Sequence, residues 1–284
     1  MRLLIGGSSS KMFHLKEFSE MLERYNVNTK LVFDVEYADG FPSRKISNWF
    51  SNNTRFKKLI DGFRPDLILV DRQRHFCLEA SKTNIPLAVH LRGNYWKEME
   101  MAKKTLYSSP PKKIAINKWE EIGEKCFQRA DKILPICRHL EDVIKEYYPQ
   151  KSSAVMYQGI NSENWFEGAG MKLKHPCVGL VQGAVILEKT EQLLTLTKVL
   201  KKMPETTFYW VGDGPYKENV LPILEKYDNF EWLGALEYPN KIRDFLTEID
   251  VYALLSGIDM APLTLLEAQL MKKPVIATNV GGIP

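Results

Sequence analysis

Two carboxylates near the end of the chain, Asp259 and Glu267, flank the start of a helix. Their stretch, Asp250 to Pro284, reads DVYALLSGIDMAPLTLLEAQLMKKPVIATNVGGIP. Val251 to Leu255 is an apolar run with strand character, broken by Ser256-Gly257. Pro262 suits the first turn of a helix, where a missing N–H costs nothing. Leu265, Leu266, Ala268, Leu270 and Met271 supply that helix's buried stripe. Pro274 to Ala277 is the next buried strand, and Gly281-Gly282 turns away from it. A strand that feeds a helix N-terminus is a ready anion site, because free N–H groups and the helix dipole face the loop. Asp259 is either a ligand contact or a helix cap. Glu267 sits among apolar neighbours and needs a partner if buried, since a lone buried carboxylate is costly; the alternative is a surface ion pair. In the first half, Arg92 follows the buried run IPLAVHL, at the end of a strand where ligands bind in parallel sheets. It is either an anion contact or an ordinary surface arginine. Gly6-Gly7, between the first strand and helix, is either a tight turn or a place where a ligand comes close.

The elements that must position these residues alternate along the chain. Strands at Arg2–Ile5, Asn28–Asp34, Pro65–Asp71, Ile85–Leu91, Asp131–Ile136 and Ala154–Tyr157 are separated by helical stretches, and a second series begins at Cys177–Val181. This pattern predicts parallel, doubly wound α/β sheets. The 284 residues suggest two domains. The first spans 1–165 and the second 166–284, with polar sequence to about Lys174 as a linker. Hydrophobic content of 44% and charged content of 26% are those of a soluble globular chain. No apolar run reaches membrane-spanning length, and the N-terminus reads as a strand, not a signal peptide. The four cysteines are scattered, which fits a reducing cytoplasm and gives no metal site. Residues 1–165 carry 27 Lys and Arg against 20 Asp and Glu, a net +7; residues 166–284 carry 12 against 15, a net −3. The basic half could face a phosphate-bearing substrate or the inner face of a membrane, or simply be a Lys-rich solvated surface. Lys97 to Lys118, broken by Pro110-Pro111, is either an amphipathic contact with a membrane or acceptor, or a mobile solvated excursion. No nucleic-acid-binding module is present.

The order of signals resembles the family 4 retaining glycosyltransferases of group 1 type. The matching pieces are PDLILV near residue 65, QGIN at 158–161, EK at 188–189, VGDGP at 211–215, WLGAL at 232–236 and LLEAQLMKKPVIATNVGGIP. The resemblance is strong in the second half and diffuse in the first. It implies a GT-B fold, two Rossmann-like domains facing a cleft, with acceptor binding in the first and nucleotide-sugar binding in the second. The family carries two glutamates separated by seven residues. Glu267 matches the one that binds the donor ribose, and Asp259 replaces the one beside the transferred sugar. Lys189 matches the lysine that clamps the donor diphosphate, a sensible role because the leaving group gains charge as the glycosidic bond breaks. The amides around Met260, Ala261 and Leu263 would face donor sugar or phosphate. Gly214 and the turn at Leu236 would wall the base pocket, and Gly7 would approach the ligand. The family's arginine after the glycine equivalent to Gly183 is Ala184 here, and Arg92 stands where the family has a histidine.

The expected function is transfer of a sugar from a nucleoside-diphosphate donor to a glycan or lipid-linked acceptor hydroxyl, with retention, without a cofactor or a metal. The rivals are a nucleotide-sugar epimerase or hydrolase of the same fold, and a non-catalytic nucleotide-sugar-binding domain. The resemblance also implies that the chain lacks its C-terminal end, because family members continue beyond Gly-Gly-Ile-Pro.

Overall fold

The structure, a computed structural model, describes residues 1–43, 45–50 and 53–284, with only the backbone at residue 10. The chain divides into two compact units, Met1–Tyr157 and Gln158–Pro284.

The first unit runs β1 (Arg2–Gly7), α1 (Met12–Arg24), β2 (Asn28–Phe33), α2 (Asp34–Tyr37), α3 (Thr54–Phe63), β3 (Leu67–Val70), α4 (His75–Ala80), β4 (Leu87–Leu91), α5 (Tyr95–Lys104), α6 (Pro110–Arg129), β5 (Lys132–Pro135) and α7 (Arg138–Tyr147). The strands form one parallel sheet in the order β2-β1-β3-β4-β5. Parallel neighbours need long crossovers, which the helices supply. β4 is buried at every position and β3 at all but its first, as expected for strands covered on both faces. In α7 the buried residues Leu140, Val143 and Ile144 lie three and four apart, so one helical face meets the sheet.

Two expectations for this unit change. Ala154–Tyr157 is not a strand. The N–H groups of Ala154 and Met156 donate to Ile133 and Pro135 at 3.3 and 2.8 Å, but only Ile133 and Ser153 form a bridge. The segment lies beside β5 without building a ladder. Residues 97–118 are not a loose excursion. Asn94 caps α5 by accepting the Lys97 N–H at 3.1 Å. Pro110 and Pro111 open α6, where their missing N–H groups break no helical bond.

The second unit runs β6 (Cys177–Val181), α8 (Leu187–Glu191), α9 (Leu196–Lys202), β7 (Thr207–Val211), α10 (Leu221–Leu224), β8 (Phe230–Gly234), α11 (Asn240–Glu248), β9 (Val251–Leu254), α12 (Leu263–Leu270) and β10 (Val275–Ala277). Its parallel sheet has the order β10-β9-β6-β7-β8. β7 shows why both faces are covered. Phe208 and Trp210 enter a core with Leu180, Leu193 and Leu196, while Tyr209 and Val211 enter another with Trp165, Phe245 and Tyr252.

Trp165 also moves the expected boundary eight residues earlier. Its indole is buried in that second core. The Gly168 N–H donates to Thr247 Oγ1 at 2.9 Å, and the Met171 N–H to Glu248 Oε2 at 3.1 Å. The stretch read as a linker is thus a strap fastened to α11. Three further readings change. Pro262 is the extended residue before α12, not part of its first turn. Leu266 and Leu270 of the expected stripe are half exposed, whereas Glu267 and Ala268 are buried. β10, expected to be buried, is the outermost strand and leaves Ile276 60% exposed. No helix among the described residues is long and apolar enough to cross a membrane.

Candidate functional site

In each sheet the order reverses at one pair of strands, β1 and β3 in the first unit and β6 and β9 in the second. Chain crossovers leave in opposite directions there, opening a crevice at the carboxyl ends of the strands.

At the β6/β9 point, α8 carries Lys189 and the loop after β9 carries Asp259. The Lys189 ammonium donates to Asp259 Oδ2, joining two expected site residues seventy positions apart. Both side chains are largely shielded. The remaining carboxylate oxygen, Oδ1, accepts the Met260 N–H at 3.1 Å. The loop itself is tied down. Thr278 Oγ1 donates to the Ser256 carbonyl at 2.7 Å and accepts its N–H at 3.1 Å. The Gly282 N–H donates to the Asp259 carbonyl at 2.9 Å. Gly281 has φ +56°, and a Cβ there would overlap that same carbonyl oxygen. The Gly281-Gly282 turn is therefore what fixes Asp259. On the lysine side, buried Gln182 donates from Nε2 to the Lys189 carbonyl at 2.9 Å, while its Oε1 has no partner.

Glu267 lies one turn into α12 and is 2% exposed. The Tyr238 hydroxyl donates to its Oε1 at 3.1 Å, and Oε2 has no partner among the described residues. Burial pushes the carboxyl up to about 7, with the Tyr238 hydrogen bond pulling the other way. A buried carboxylate with one open oxygen is suited to a ligand that donates hydrogen bonds, which would offset its desolvation. Met260 is buried, and Ala261 and Leu263 are half-buried, leading into α12, whose first N–H groups have no intrahelical acceptor.

Gly214 and Leu236 have packing roles in this structure. A Cβ on Gly214 would overlap the backbone of Ala184. Ala184 is fully buried, donates its N–H to the Asp213 carbonyl at 2.9 Å and accepts that of Tyr216 at 3.1 Å. Leu236 packs against the core that holds Trp165 and Ala268.

Arg92 and Gly7 belong to the first unit. The Arg92 Nε–H donates to Asp71 Oδ1 at the adjoining ends of β4 and β3. Burial raises the Asp71 pKa while Arg92 draws it back down. His90, two residues before Arg92 and 3.9 Å from Asp71 Oδ1, is held neutral, its pKa driven to about 3 by burial first and Arg92 second. Arg92 is thus an arginine engaged by a buried acid, not a loose surface cation. At Gly7 a Cβ would overlap Leu15 of α1, so close packing of helix on strand already favours glycine.

Sequence reasoning missed Asp71, Tyr238 and Gln182. Asp71 carried the same signal as Arg92, a polar residue at the carboxyl end of a buried strand. Tyr238 and Gln182 carried none, because their partners lie 29 and 7 positions away across loops. The cysteine spacing also gave no sign that His175, Cys177 and Asp250 have ligand-type atoms within 4.8 Å of one another. That group lies at the amino ends of β6 and β9, opposite Lys189. Its histidine is already held by Asp250 and Glu248, each at 2.9 Å.

The sequence profile described as "Glycosyl transferases group 1" matches residues 183–284. The sulfoquinovosyl transferase of Arabidopsis thaliana is 35% identical over 102 residues, 36% of this chain and 19% of that protein. The Escherichia coli UDP-Gal:alpha-D-GlcNAc-diphosphoundecaprenol alpha-1,3-galactosyltransferase is 29% identical over 187 residues, 59% of this chain and 47% of that protein. The chain therefore spans less than half the length of either relative. Among solved structures, sucrose-phosphate synthase from Thermosynechococcus elongatus superposes with a TM-score of 0.74 at 11% identity, covering 100% of this chain and 82% of that one. Anabaena HepE in complex with UDP-glucose gives 0.66 at 14% identity, covering 99% and 81%. Residues 183–284 thus resemble the group 1 glycosyltransferases, and the chain has the two-domain α/β GT-B fold.

Proposed function

We propose that this chain transfers a sugar from a nucleoside-diphosphate donor to an acceptor hydroxyl with retention of configuration. The observation that carries the reading is Glu267, a buried carboxylate with one unpartnered oxygen at the carboxyl edge of the second sheet. Vicinal ribose hydroxyls would donate to that oxygen. The donor diphosphate would draw Lys189 from Asp259, and α12 would present its first N–H groups to the same charge. Asp259, released, would lie beside the transferred sugar. With no general base evident, front-face attack assisted by the leaving phosphate is the proposed route. A uridine donor is supported by the printed name of the E. coli relative and by the nucleotides bound in HepE. The acceptor is proposed to be a glycan or a lipid-linked sugar, as for that relative. The enzyme would then work in the cytoplasm, with the basic first half resting on the inner membrane face.

Calorimetry with UDP tests the donor site. Glu267→Ala and Lys189→Ala should each weaken UDP binding at least tenfold, roughly 1.4 kcal/mol. No binding of any nucleoside diphosphate at millimolar concentration would sink the reading. A second reading, a nucleotide-sugar-binding domain without turnover, is favoured by Ala184. Its side chain is buried in the core, so the arginine of the resembling family has no counterpart there. That reading expects UDP binding with neither transfer nor donor hydrolysis.

A further inference from the structure

The first unit holds an open cavity of about 1300 Å³, lined by none of the residues assigned above. Small-molecule sites usually span roughly 300–1,000 Å³, so this one has room for more than a single sugar ring. Its walls come from α2, the segment after β3, α3 and α6, and they hold five Lys or Arg against three Asp or Glu.

Two of the three acids are already engaged. Asp34 is 3% exposed and takes both nitrogens of a fork from Arg72, Nε at 2.5 Å and Nη2 at 2.8 Å. Asp39 accepts from Ser43 Oγ and Asn48 Nδ2, each at 2.7 Å, and from the Gly40 N–H at 2.9 Å. His75 adds no charge, since burial lowers its pKa, and its Nε2 lies 3.0 Å from the Phe41 carbonyl.

Arg74 differs. It is half-buried, and among the described residues no carboxylate lies within ion-pair distance of it and its guanidinium makes no hydrogen bond. Its guanidinium carbon sits 3.8 Å from the centre of the Trp119 ring. A cation–π contact offsets only part of what withdrawing a charge from water costs, and the neighbouring Arg72 adds repulsion. Arg74 and Trp119 both line the cavity, and a guanidinium resting on an indole there suits a planar or tetrahedral anion, the geometry arginine recognises best.

We infer that this cavity binds a phosphate or carboxylate carried by the glycosyl acceptor, with Arg74 as the principal contact and Trp119 as its platform. That the ligand is an acceptor rests on the glycosyltransferase reading; that it is an anion does not.

The test titrates the whole chain, without donor, with three probes: methyl α-glucoside, glucuronate and glucose 1-phosphate. One anionic probe at least should bind ten times tighter than the neutral glycoside, and whichever leads identifies carboxylate or phosphate as the source of charge. Arg74→Gln should remove that tenfold advantage, while Lys189→Ala, in the other unit, should keep it. Equal binding of the neutral probe, an advantage that survives Arg74→Gln, or one abolished by Lys189→Ala instead, overturns the inference. Should Arg74→Gln lose its melting transition, Arg74→Lys replaces it. That variant should bind the leading anion several-fold more weakly than wild type, and unchanged affinity overturns the inference. UDP titrated in parallel reports on the donor site alone, so failure of either reading is seen separately.

Discussion

At the scale of single residues, Glu267 sets a conflict between stability and function. Its folded pKa, about 7, lies above the ordinary glutamate value of 4.5. The protonated form is therefore favoured in the folded state. Stability from this group is fully present below pH 4.5 and is lost as pH rises through 7. The loss is on the order of 3 kcal/mol for a shift of this size. Denaturant titrations at pH 5 and pH 8 should show wild type losing up to that amount relative to Glu267→Gln. Identical pH slopes for the two proteins would refute the assignment. The same variant should bind UDP more weakly, because an amide offers one acceptor oxygen, not two, and lacks the charge that strengthens the carboxylate's hydrogen bonds. The carboxylate lowers the stability of the empty site and becomes an asset only when a donor of hydrogen bonds arrives.

At the scale of elements, the loop after β9 depends on the Gly281-Gly282 turn. Gly281→Ala places a Cβ against the Asp259 carbonyl at a positive φ. The expected cost is about 1–3 kcal/mol, a fall of several degrees in melting temperature. Donor turnover should drop further than stability alone explains, since Asp259 moves. Gly62→Ala is the control. Gly62 lies in α3 with open space around it, and alanine there should stabilise by about 0.5–1 kcal/mol. A melting temperature unchanged by Gly281→Ala would show that the turn does not fix the loop. This loop also marks the limit of sequence reading. Strand, loop, helix and strand after Asp250 were legible because apolar runs and Gly and Pro punctuate them. The joining of Lys189 to Asp259 was not, because periodicity within an element says nothing about which loops meet. Pro110-Pro111 misled for a related reason: proline breaks a helix or begins one according to what precedes it, and here Ser109 precedes it. Trp165 misled because one aromatic in a polar stretch gives no hint of its partners.

At the scale of the whole molecule, two parallel sheets with reversal points account for where chemistry can sit, and alternation of strand and helix made that legible from the start. Among the described residues β10 pairs with β9 alone, Ile276 is 60% exposed, and Leu266 and Leu270 on α12 are 38% and 39% exposed. Unpaired strand edges with apolar side chains invite pairing with another chain. Ile276→Lys should reduce concentration-dependent light scattering while leaving the melting temperature within a degree or two. Scattering equal to that of wild type would place the association elsewhere.

On the proposed function, the contact between Lys189 and Asp259 would have a consequence for turnover. A lysine already holding an acid is its own inhibitor of diphosphate binding: the incoming group must outcompete a tethered carboxylate at high effective concentration. The same competition runs in reverse after the reaction. Once the sugar has gone, Asp259 can reclaim Lys189 and help to expel the spent nucleotide. On the proposed reading, the pair is a recoil spring, trading some donor affinity for faster product release.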